Sequence, residues 1–149
     1  DFIMKLVIQR VSNASVIIDK KIYSSIRNGI LLLIGIEVDD NQSMLDYYVK
    51  KIVNIRIFND DNKKMNYSLL DIQGSILVVS QFTLLANTKK GNRPSYINAA
   101  KPDISKKLYR LFFEKLKNYE INVKKGRFGA HMKLDFINDG PVTILLGND

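Results

Sequence analysis

The chain has 149 residues, no cysteine and a formal net charge of +8. This length allows one domain with a continuous core, and the missing cysteines exclude disulfides, thiolate metal sites and thiol nucleophiles. No apolar run is long enough to cross a bilayer, so we expect a cytoplasmic protein without a membrane partner. The charge favours an anionic partner, with nucleic acid first, although basic proteins without such a partner are common.

The first part of the chain predicts strands of a sheet. Alternation over Met4 to Asn13 places Arg10 on the same face as Leu6 and Ile8. An arginine there must reach solvent at a sheet end or be held by acceptors inside. Further strands are expected at Ser15 to Asp19, Ile22 to Ile26 and Ile30 to Glu37.

Two amphipathic helices interrupt the strands. Apolar spacing predicts one helix from Asn41 to Asn54 and another from Ile104 to Asn118, capped by Asp103. The remaining strands are expected at Ile76 to Val79, Val123 to Gly129, His131 to Ile137 and Val142 to Leu146. This order indicates a mostly β, α+β fold: a barrel-like antiparallel or mixed sheet with both helices on one side. We expect a single domain over residues 4–149, with Asp1 to Ile3 preceding a natural start at Met4.

Two polar segments border apolar strands. Ser80, Gln81 and Thr83 follow the strand at Ile76 to Val79 and can position a polar ligand, while backbone N–H groups around Gln81 and Phe82 can hold an oxyanion. The second segment, Asn138 to Thr143, exposes the carbonyls of Gly140-Pro141. Taken alone, the first also fits an ordinary strand end and the second a hairpin turn.

Other catalytic chemistry finds little support. His131 is the only histidine. Its neighbour Met132 is expected to face the core, so His131 is expected to point away from the core. A Ser-His-Asp triad through Ser80 or Thr143 is therefore disfavoured. One histidine is too few for a histidine metal site, and the acidic loop at Asn59 to Lys64 lacks the glycine and closing glutamate of an EF-hand. We expect no metal and no cofactor.

Six blocks of sequence occur in the order and at the spacing of a known family. They are Met4 to Val11, Met65 to Asp71, Ser80 to Leu84, Gly91 to Tyr96, Gly126 to Ala130 and Asn138 to Thr143. Together they resemble the D-aminoacyl-tRNA deacylase family from Met4 to the C-terminus. The resemblance implies a homodimer, with active sites at the subunit interface, that hydrolyses the ester between a D-amino acid, or glycine, and the 3′-terminal adenosine of tRNA.

The resemblance also implies how D-amino acids are selected. Gly140-Pro141 would be a cis peptide inserted into the pocket of the partner subunit, where its carbonyls bind the α-amino group of the substrate. An L side chain would then collide with that backbone, whereas a D side chain would point into open space. Arg10 would orient the Gly-Pro segment, and Asn138 and Thr143 belong to its supporting residues.

The same resemblance assigns the catalytic segment to Ser80, Gln81, Phe82 and Thr83, with Met132 beside the pocket. Thr83 takes the place of the candidate nucleophile of the family, yet no evident base is available to activate it. We therefore favour attack by water assisted by the terminal 2′-hydroxyl of the tRNA. The loop before Met65 departs from the family pattern, since Lys63 stands where glycine is usual.

The tRNA contacts are expected at Lys89, Lys90 and Arg93, whose charges suit the phosphates of the acceptor end. Two interpretations without catalysis stay open. One is a dimeric tRNA- or RNA-binding module, although most aromatic residues fall at core-facing positions and do not form a stacking platform. The other is a dimeric structural or adaptor protein.

Overall fold

The fold was analysed in a computed structural model that describes residues 4–147. The expectation about Asp1 to Ile3 lies outside these residues. In chain order the elements are β1 (Lys5–Ile18), β2 (Lys21–Ile26), β3 (Gly29–Gly35), α1 (Leu45–Asn54), β4 (Phe58–Asn59), β5 (Met65–Tyr67), α2 (Leu69–Ile72), β6 (Ser75–Ser80), α3 (Pro102–Lys117), β7 (Asn122–Lys125) and β8 (Lys133–Leu146). Short 3-10 turns at Gln42–Met44 and Phe82–Leu85 precede α1 and follow β6.

Six strands form one mixed sheet that curls into a nearly closed barrel. The long strand β1 is its centre, because it pairs with β3 through residues 5–11, with β2 through residues 14–18 and with β8 along most of its length. The neighbours β3, β6 and β7 run parallel to one another. Ser24 Oγ in β2 donates to the Lys125 carbonyl in β7 at 2.9 Å, which links the two ends of the strand order.

Two hydrophobic clusters hold this architecture together. Leu6, Ile8 and Ile30 face the larger cluster, to which both α1 and α3 contribute side chains such as Ile52 and Phe112. A smaller cluster on the other face of the sheet contains Val16, Leu31 and Val79. Burial of each such side chain stabilises the fold by roughly 1.5–3 kcal/mol. The expected barrel-like sheet, with both amphipathic helices on one side, is confirmed.

β1 and β8 are each one continuous strand where two separate strands were expected. The segments expected at 4–13 and 15–19 form β1, whose register with β8 shifts near Val11 without breaking the strand. The segments expected at 131–137 and 142–146 form β8, and both halves pair antiparallel with β1. The chain therefore does not reverse direction between Asn138 and Thr143. The interpretation of this segment as a hairpin turn is therefore wrong, because the two apolar runs that flank it pair with the same strand, β1.

Both long helices begin at other residues than expected. Asn41 caps the 3-10 turn by accepting from Ser43 N at 3.0 Å, and α1 itself starts at Leu45. The helix α3 starts at Pro102, whose ring suits the first helical position, and Asp103 lies in the first turn instead of capping it. The strand expected to extend from Val123 to Gly129 already ends at Lys125. Beyond Gly126, whose N–H still donates to the Val78 carbonyl of β6 at 2.9 Å, residues 127–132 lie outside the sheet.

Lys63, the departure from the family pattern, adopts a left-handed backbone conformation with φ of 61°. Glycine adopts this region readily, whereas a side chain costs about 1 kcal/mol there. The turn is nevertheless held by Asp60, whose side-chain oxygen accepts from Asn62 N at 2.8 Å and from Lys64 N at 3.1 Å. The lysine therefore keeps the turn that glycine would form.

Asp40, in the connection between β3 and α1, is a buried carboxyl with only 8% of its surface exposed. Its Oδ2 accepts from Glu37 N at 2.6 Å, while Oδ1 has no partner among residues 4–147. Burial raises the pKa of Asp40 from 3.8 to about 6, and the charges of Glu37 and Asp39 act in the same direction. The folded chain therefore binds a proton at Asp40 more readily than the unfolded chain.

We predict that Asp40→Asn changes the pH dependence of stability. The contribution of the protonated Asp40 is fully present only below the unfolded pKa of 3.8 and is lost as the pH rises through about 6, because the native pKa is the higher one. The unfolding free energy of the variant should therefore gain on that of the wild type, by at most about 3 kcal/mol, between pH 4 and pH 7. Urea unfolding across this range measures the difference, and a difference independent of pH would contradict the prediction. The exposed Asp61, which does not contribute to the pKa of Asp40, is the control when changed as Asp61→Asn.

Candidate active site

A cavity of about 610 Å³ opens where β6 and β7 end. Because parallel strands bring their carboxyl ends to the same edge of a sheet, the segments that follow these two strands meet there. Ser80, Gln81 and Phe82 line the cavity after β6, and residues 128–132 line it after β7. Val79, from the smaller hydrophobic cluster, adds apolar lining. The cavity thus combines an apolar base with polar groups at a strand end.

Another wall of the cavity is the segment that precedes α3. Ala100 N donates to the Ile36 carbonyl at 2.9 Å, which ties this wall to the end of β3. The Tyr96 ring packs edge-on against Phe82, with the ring centroids 4.9 Å apart. Tyr96, Ala99, Ala100, Lys101, Pro102 and Ser105 are the lining residues that this segment and α3 contribute. Three parallel strand ends therefore support the cavity.

The backbone of Gln81 is not available to a ligand. Gln81 N donates to the Ile34 carbonyl of β3 at 2.7 Å, so the expected oxyanion donor at this residue is wrong. Phe82 and Thr83 open the 3-10 turn, and the first N–H groups of a helical turn have no acceptor within it. These two groups are the backbone donors that the segment offers.

Thr83 is exposed and hydrogen bonds to an amide. Gln81 Nε2 donates to Thr83 Oγ1. A neutral amide donor cannot accept the hydroxyl proton, so this contact does not activate Thr83 as a nucleophile. Thr83 is also absent from the side chains that line the cavity, whereas its neighbours Ser80, Gln81 and Phe82 are present.

Gly140 and Pro141 lie on an outward excursion of β8. Thr143 pairs with Gln9 and Asn138 with Val11, so four residues of β8 stand opposite a single residue of β1. The Gly140-Pro141 bond is cis, as the resemblance implied, and both residues are exposed. Within residues 4–147, this excursion is the largest interruption in the pairing of β8 with β1.

Asn138 joins the two ends of this excursion. Its Nδ2 is 3.0 Å from both Gln9 Oε1 and Thr143 Oγ1. Its Oδ1 accepts from Val142 N, also at 3.0 Å. The side chain therefore replaces ladder hydrogen bonds that the excursion lacks.

Arg10 supports the excursion from the core side. Its side chain is buried, and Nε donates to the Asp139 carbonyl at 2.9 Å while Nη1 donates to the Ile57 carbonyl at 2.8 Å. Asn59 Oδ1 accepts a longer bond from Nη1, at 3.3 Å. Of the two alternatives for Arg10, solvent at a sheet end or acceptors inside, the structure shows the second.

Only glycine fits at position 140. Its φ of 132° lies in a region that side chains rarely adopt, and a Cβ there would come within 2.9 Å of both Arg10 Nη2 and Val142 Cγ2. Arg10 thus packs directly against the backbone of Gly140, and an added methyl group would have to displace the guanidinium.

The expected site residues fall into separate groups within one chain. Met132 lines the cavity with the segment after β6, but Arg10, Asn138, Gly140, Pro141 and Thr143 do not line it. The cavity and the Gly-Pro excursion are therefore separate features of a single chain.

The expected tRNA contacts Lys89, Lys90 and Arg93 are exposed on a loop. This loop is closed by the paired backbone bonds of Asn87 and Ser95, at 2.8 and 2.9 Å. Since Tyr96 follows directly and lines the cavity, the loop begins and ends close to the cavity wall.

Phe128, Ala130 and His131 line the cavity, although no role was expected for them. The sequence feature that could have pointed to Phe128 and Ala130 was the block from Gly126 to Ala130, which contributed to the resemblance. His131 is exposed, as its alternation with Met132 indicated, and it lies at the cavity.

Residues 4–147 contain no group of three or more acidic or histidine side chains able to hold a metal ion. None of the helices in these residues is both long and apolar enough to span a membrane.

Comparisons with known proteins place this chain among close relatives. A family model described as D-Tyr-tRNA(Tyr) deacylase matches residues 7–147. D-aminoacyl-tRNA deacylase of Thermosipho africanus is 54% identical over 143 residues, covering 96% of each chain. D-aminoacyl-tRNA deacylase of Flavobacterium psychrophilum is 57% identical over 145 residues, again covering 96% of each chain.

Two solved structures share the fold of this chain. The c-Myc DNA unwinding element binding protein superposes with a TM-score of 0.89 at 42% identity, over 95% of this chain and 97% of its own. A probable eukaryotic D-amino acid tRNA deacylase shares the fold, with a TM-score of 0.83 at 18% identity, over 96% of this chain and 98% of its own.

Fold and cavity define a small barrel-like α+β protein with a pocket of mixed apolar and polar lining at its parallel strand ends. Within that class, the chain belongs to the D-Tyr-tRNA(Tyr) deacylase family, whose name denotes a hydrolase. The resemblance drawn from the six sequence blocks is confirmed.

We predict that Arg10→Met loosens the excursion. The variant leaves the Asp139 and Ile57 carbonyls without their charged donor, so we expect the unfolding free energy to fall by about 2–3 kcal/mol. Amide hydrogen exchange at Val142 should accelerate by roughly tenfold or more, because the excursion loses its inner support. Lys5→Met, a cation removed from the same strand at a half-buried position, is the control. Unchanged exchange at Val142 would show that Arg10 does not hold the excursion.

Proposed function

We propose that the protein is a D-aminoacyl-tRNA deacylase, which hydrolyses the ester between a D-amino acid, or glycine, and the 3′-terminal adenosine of tRNA. It thereby removes D-amino acids before they reach translation. The observation that carries this proposal is that one chain presents two complementary parts: a largely apolar cavity with polar groups at the ends of β6 and β7, and an exposed, braced Gly140-Pro141 that lies outside it. Membership of the family supports the substrate class.

Two copies of the chain complete each active site. In a symmetric dimer, each subunit receives the Gly140-Pro141 excursion of its partner and inserts its own in return. Apolar side chains suited to such an interface are exposed beside both parts: Phe82 is 55% exposed at the cavity, and Ile137 and Leu145 on β8 are 57% and 55% exposed. Burial of these side chains in the dimer would favour association.

Selection between D and L substrates follows from the backbone of the inserted excursion. The Gly140 and Pro141 carbonyls accept hydrogen bonds from the α-ammonium group of the substrate, and the ester carbonyl is placed near Phe82. With these two groups fixed, an L side chain points at the inserted backbone and a D side chain points away from it. Such steric rejection requires that the inserted Gly140-Pro141 backbone stays in place, and the hydrogen bonds of Arg10 and Asn138 hold it there.

Hydrolysis proceeds by attack of water on the ester carbonyl carbon. The carbonyl oxygen takes up the negative charge and is stabilised by the N–H groups of Phe82 and Thr83; each such donor typically lowers the barrier by about 3 kcal/mol. The bond to O3′ of the adenosine then breaks, and O3′ takes a proton. The neighbouring 2′-hydroxyl of the tRNA orients the water, accepts its proton as the new C–O bond forms and passes its own proton to O3′, since Thr83 is hydrogen bonded to an amide and not to a base.

Binding of the rest of the tRNA involves the loop of Lys89, Lys90 and Arg93. Its charges are exposed, and the loop adjoins Tyr96 at the cavity wall, so it can contact phosphates of the acceptor end. These contacts position the substrate and carry no amino-acid selectivity.

The direct test compares D-tyrosyl-tRNA with L-tyrosyl-tRNA. We expect the protein to accelerate loss of the D ester and to leave the L ester at its spontaneous rate, as followed by release of the labelled amino acid. Equal hydrolysis of both would refute chiral selection. If tRNA binds and neither ester is hydrolysed, the protein is a non-catalytic RNA-binding module, and if no tRNA binds it is a structural or adaptor protein.

A matched pair of variants attributes the activity to the excursion. Gly140→Ala adds a methyl group where Arg10 and Val142 leave no room, so we expect kcat/KM for D-tyrosyl-tRNA to fall by roughly tenfold or more. Asp139→Ala alters the exposed adjacent side chain but keeps the carbonyl that Arg10 binds, and should stay within roughly threefold of the wild type.

We further predict that Thr83→Ala retains most of the turnover. The lost hydroxyl accepts a bond from the Gln81 amide and has no base beside it, so kcat should change by no more than roughly threefold. Single-turnover hydrolysis of D-tyrosyl-tRNA measures this rate, with Thr88→Ala on the following segment as control. A fall to the spontaneous rate with unchanged tRNA binding would instead make Thr83 the nucleophile.

A further inference from the structure

A basic cleft of about 550 Å³ lies between α3 and the segment that follows β7. Five cationic side chains line it: Lys106, Lys107 and Arg110 from α3, and Lys125 and Arg127 from the opposite wall. Asp103 is the one acidic residue of the lining. Lys106 and Lys107 lie four and three residues before Arg110, so all three share one side of the helix.

Within residues 4–147, the cations of the cleft form no ion pair. The one ion pair among residues 4–147 joins Lys115 to Asp46, and neither residue belongs to the cleft. Lys106, Lys107, Arg110 and Arg127 are exposed. Grouping so many unpaired like charges in one concave surface raises the local positive potential and attracts a polyanion.

The walls of the cleft are held in place from below. The Tyr109 hydroxyl of α3 donates to the Val78 carbonyl of β6 at 2.8 Å and lies 3.3 Å from the Gly126 carbonyl. Burial raises the pKa of Tyr109, so this hydroxyl stays protonated and continues to donate. The Lys125 ammonium lies 4.6 Å from the centre of the Phe113 ring, which fixes its position. The charged groups are thus presented on a rigid support.

The cleft adjoins the candidate active site. Phe128 lines both, and α3 contributes to both: Pro102 and Ser105 line the cavity, while Lys106 and Arg110 line the cleft. A polyanion whose end occupies the cavity would therefore pass directly over the basic cleft. A separate small anion would not explain this shared wall.

We propose that the basic cleft binds the phosphate backbone of the tRNA acceptor stem while the terminal adenosine occupies the cavity. This inference rests on the proposed function, because it takes the polyanion to be the tRNA substrate. The cleft lies along the Phe128 wall of the cavity, whereas the loop of Lys89 to Arg93 adjoins the Tyr96 wall. The two basic surfaces would therefore contact different parts of the same acceptor end.

The test measures binding of uncharged tRNA, which does not depend on hydrolysis. Lys106→Glu with Arg110→Glu removes two cations of the cleft, and Lys50→Glu with Lys64→Glu removes two exposed lysines outside it. Each reversal changes the charge by two units, so both double variants go from +8 to +4 and differ only in where the charge is lost. Fluorescence anisotropy over a range of salt concentrations gives the affinity and its salt dependence.

We expect the cleft variant to bind tRNA at least tenfold more weakly, and the slope of log K against log salt to flatten by about 2, since each phosphate contact contributes about 0.9. The control variant should keep its slope. Equal weakening in both variants would overturn the proposal in favour of diffuse net charge, and unchanged binding in the cleft variant would overturn it outright. Thermal unfolding verifies that both variants fold, and Lys107→Gln with Arg127→Gln repeats the test without introducing negative charge.

A second measurement separates this inference from the proposed function. In the cleft variant, KM for D-tyrosyl-tRNA should rise with kcat retained, while hydrolysis of D-tyrosyl-adenosine, which lacks the stem, should match the wild type. If the wild-type protein hydrolyses neither compound, the proposed function fails, yet the binding measurement still decides whether the cleft holds tRNA. If full-length and truncated substrates respond alike to the double reversal, the cleft does not contact the stem.

Discussion

The buried guanidinium of Arg10 is the interaction on which the proposed site most depends. It joins three segments distant in sequence: β1, which carries it, the Ile57 to Asn59 segment, and the excursion of β8 at Asp139. A charged group in an apolar layer is stable only when its donors are hydrogen bonded. Because movement of the surrounding carbonyls would leave these donors unpaired at a large cost in free energy, the carbonyls cannot move far. The same constraint that keeps Arg10 inside therefore also keeps the Gly140 backbone in one place.

The position of Arg10 could be inferred from strand alternation alone, because the face of a residue in a strand depends only on its neighbours. The nature of the excursion could not. Asn, Asp, Gly and Pro are equally suited to a hairpin and to a bulge, and what decides between them is that both halves of β8 pair with β1, a strand at the other end of the chain. The cis Gly140-Pro141 bond was likewise expected from the resemblance and not from local propensity.

The cavity shows the same division between local and distant information. The placement of Ser80, Gln81 and Phe82 at a strand end followed from the apolar run before them. That Gln81 N is already bonded to Ile34 depends on the parallel pairing of β3 and β6, which alternation does not reveal. The wall at Ala99 and Ala100 carries no periodic pattern, and its place follows from contacts with the end of β3.

The excursion of β8 also restricts how the length of this chain can vary. Surface segments ordinarily accept insertions and deletions, because little is anchored on either side of them. Here Asn138 and Thr143 are both in register with β1, and Ile144 packs against the main core just beyond. Loss of one residue would either pull Gly140-Pro141 back toward the sheet or shift the end of β8 by one position, turning Ile144 away from the core. Although it is exposed, the excursion should therefore accept changes of residue more readily than changes of length.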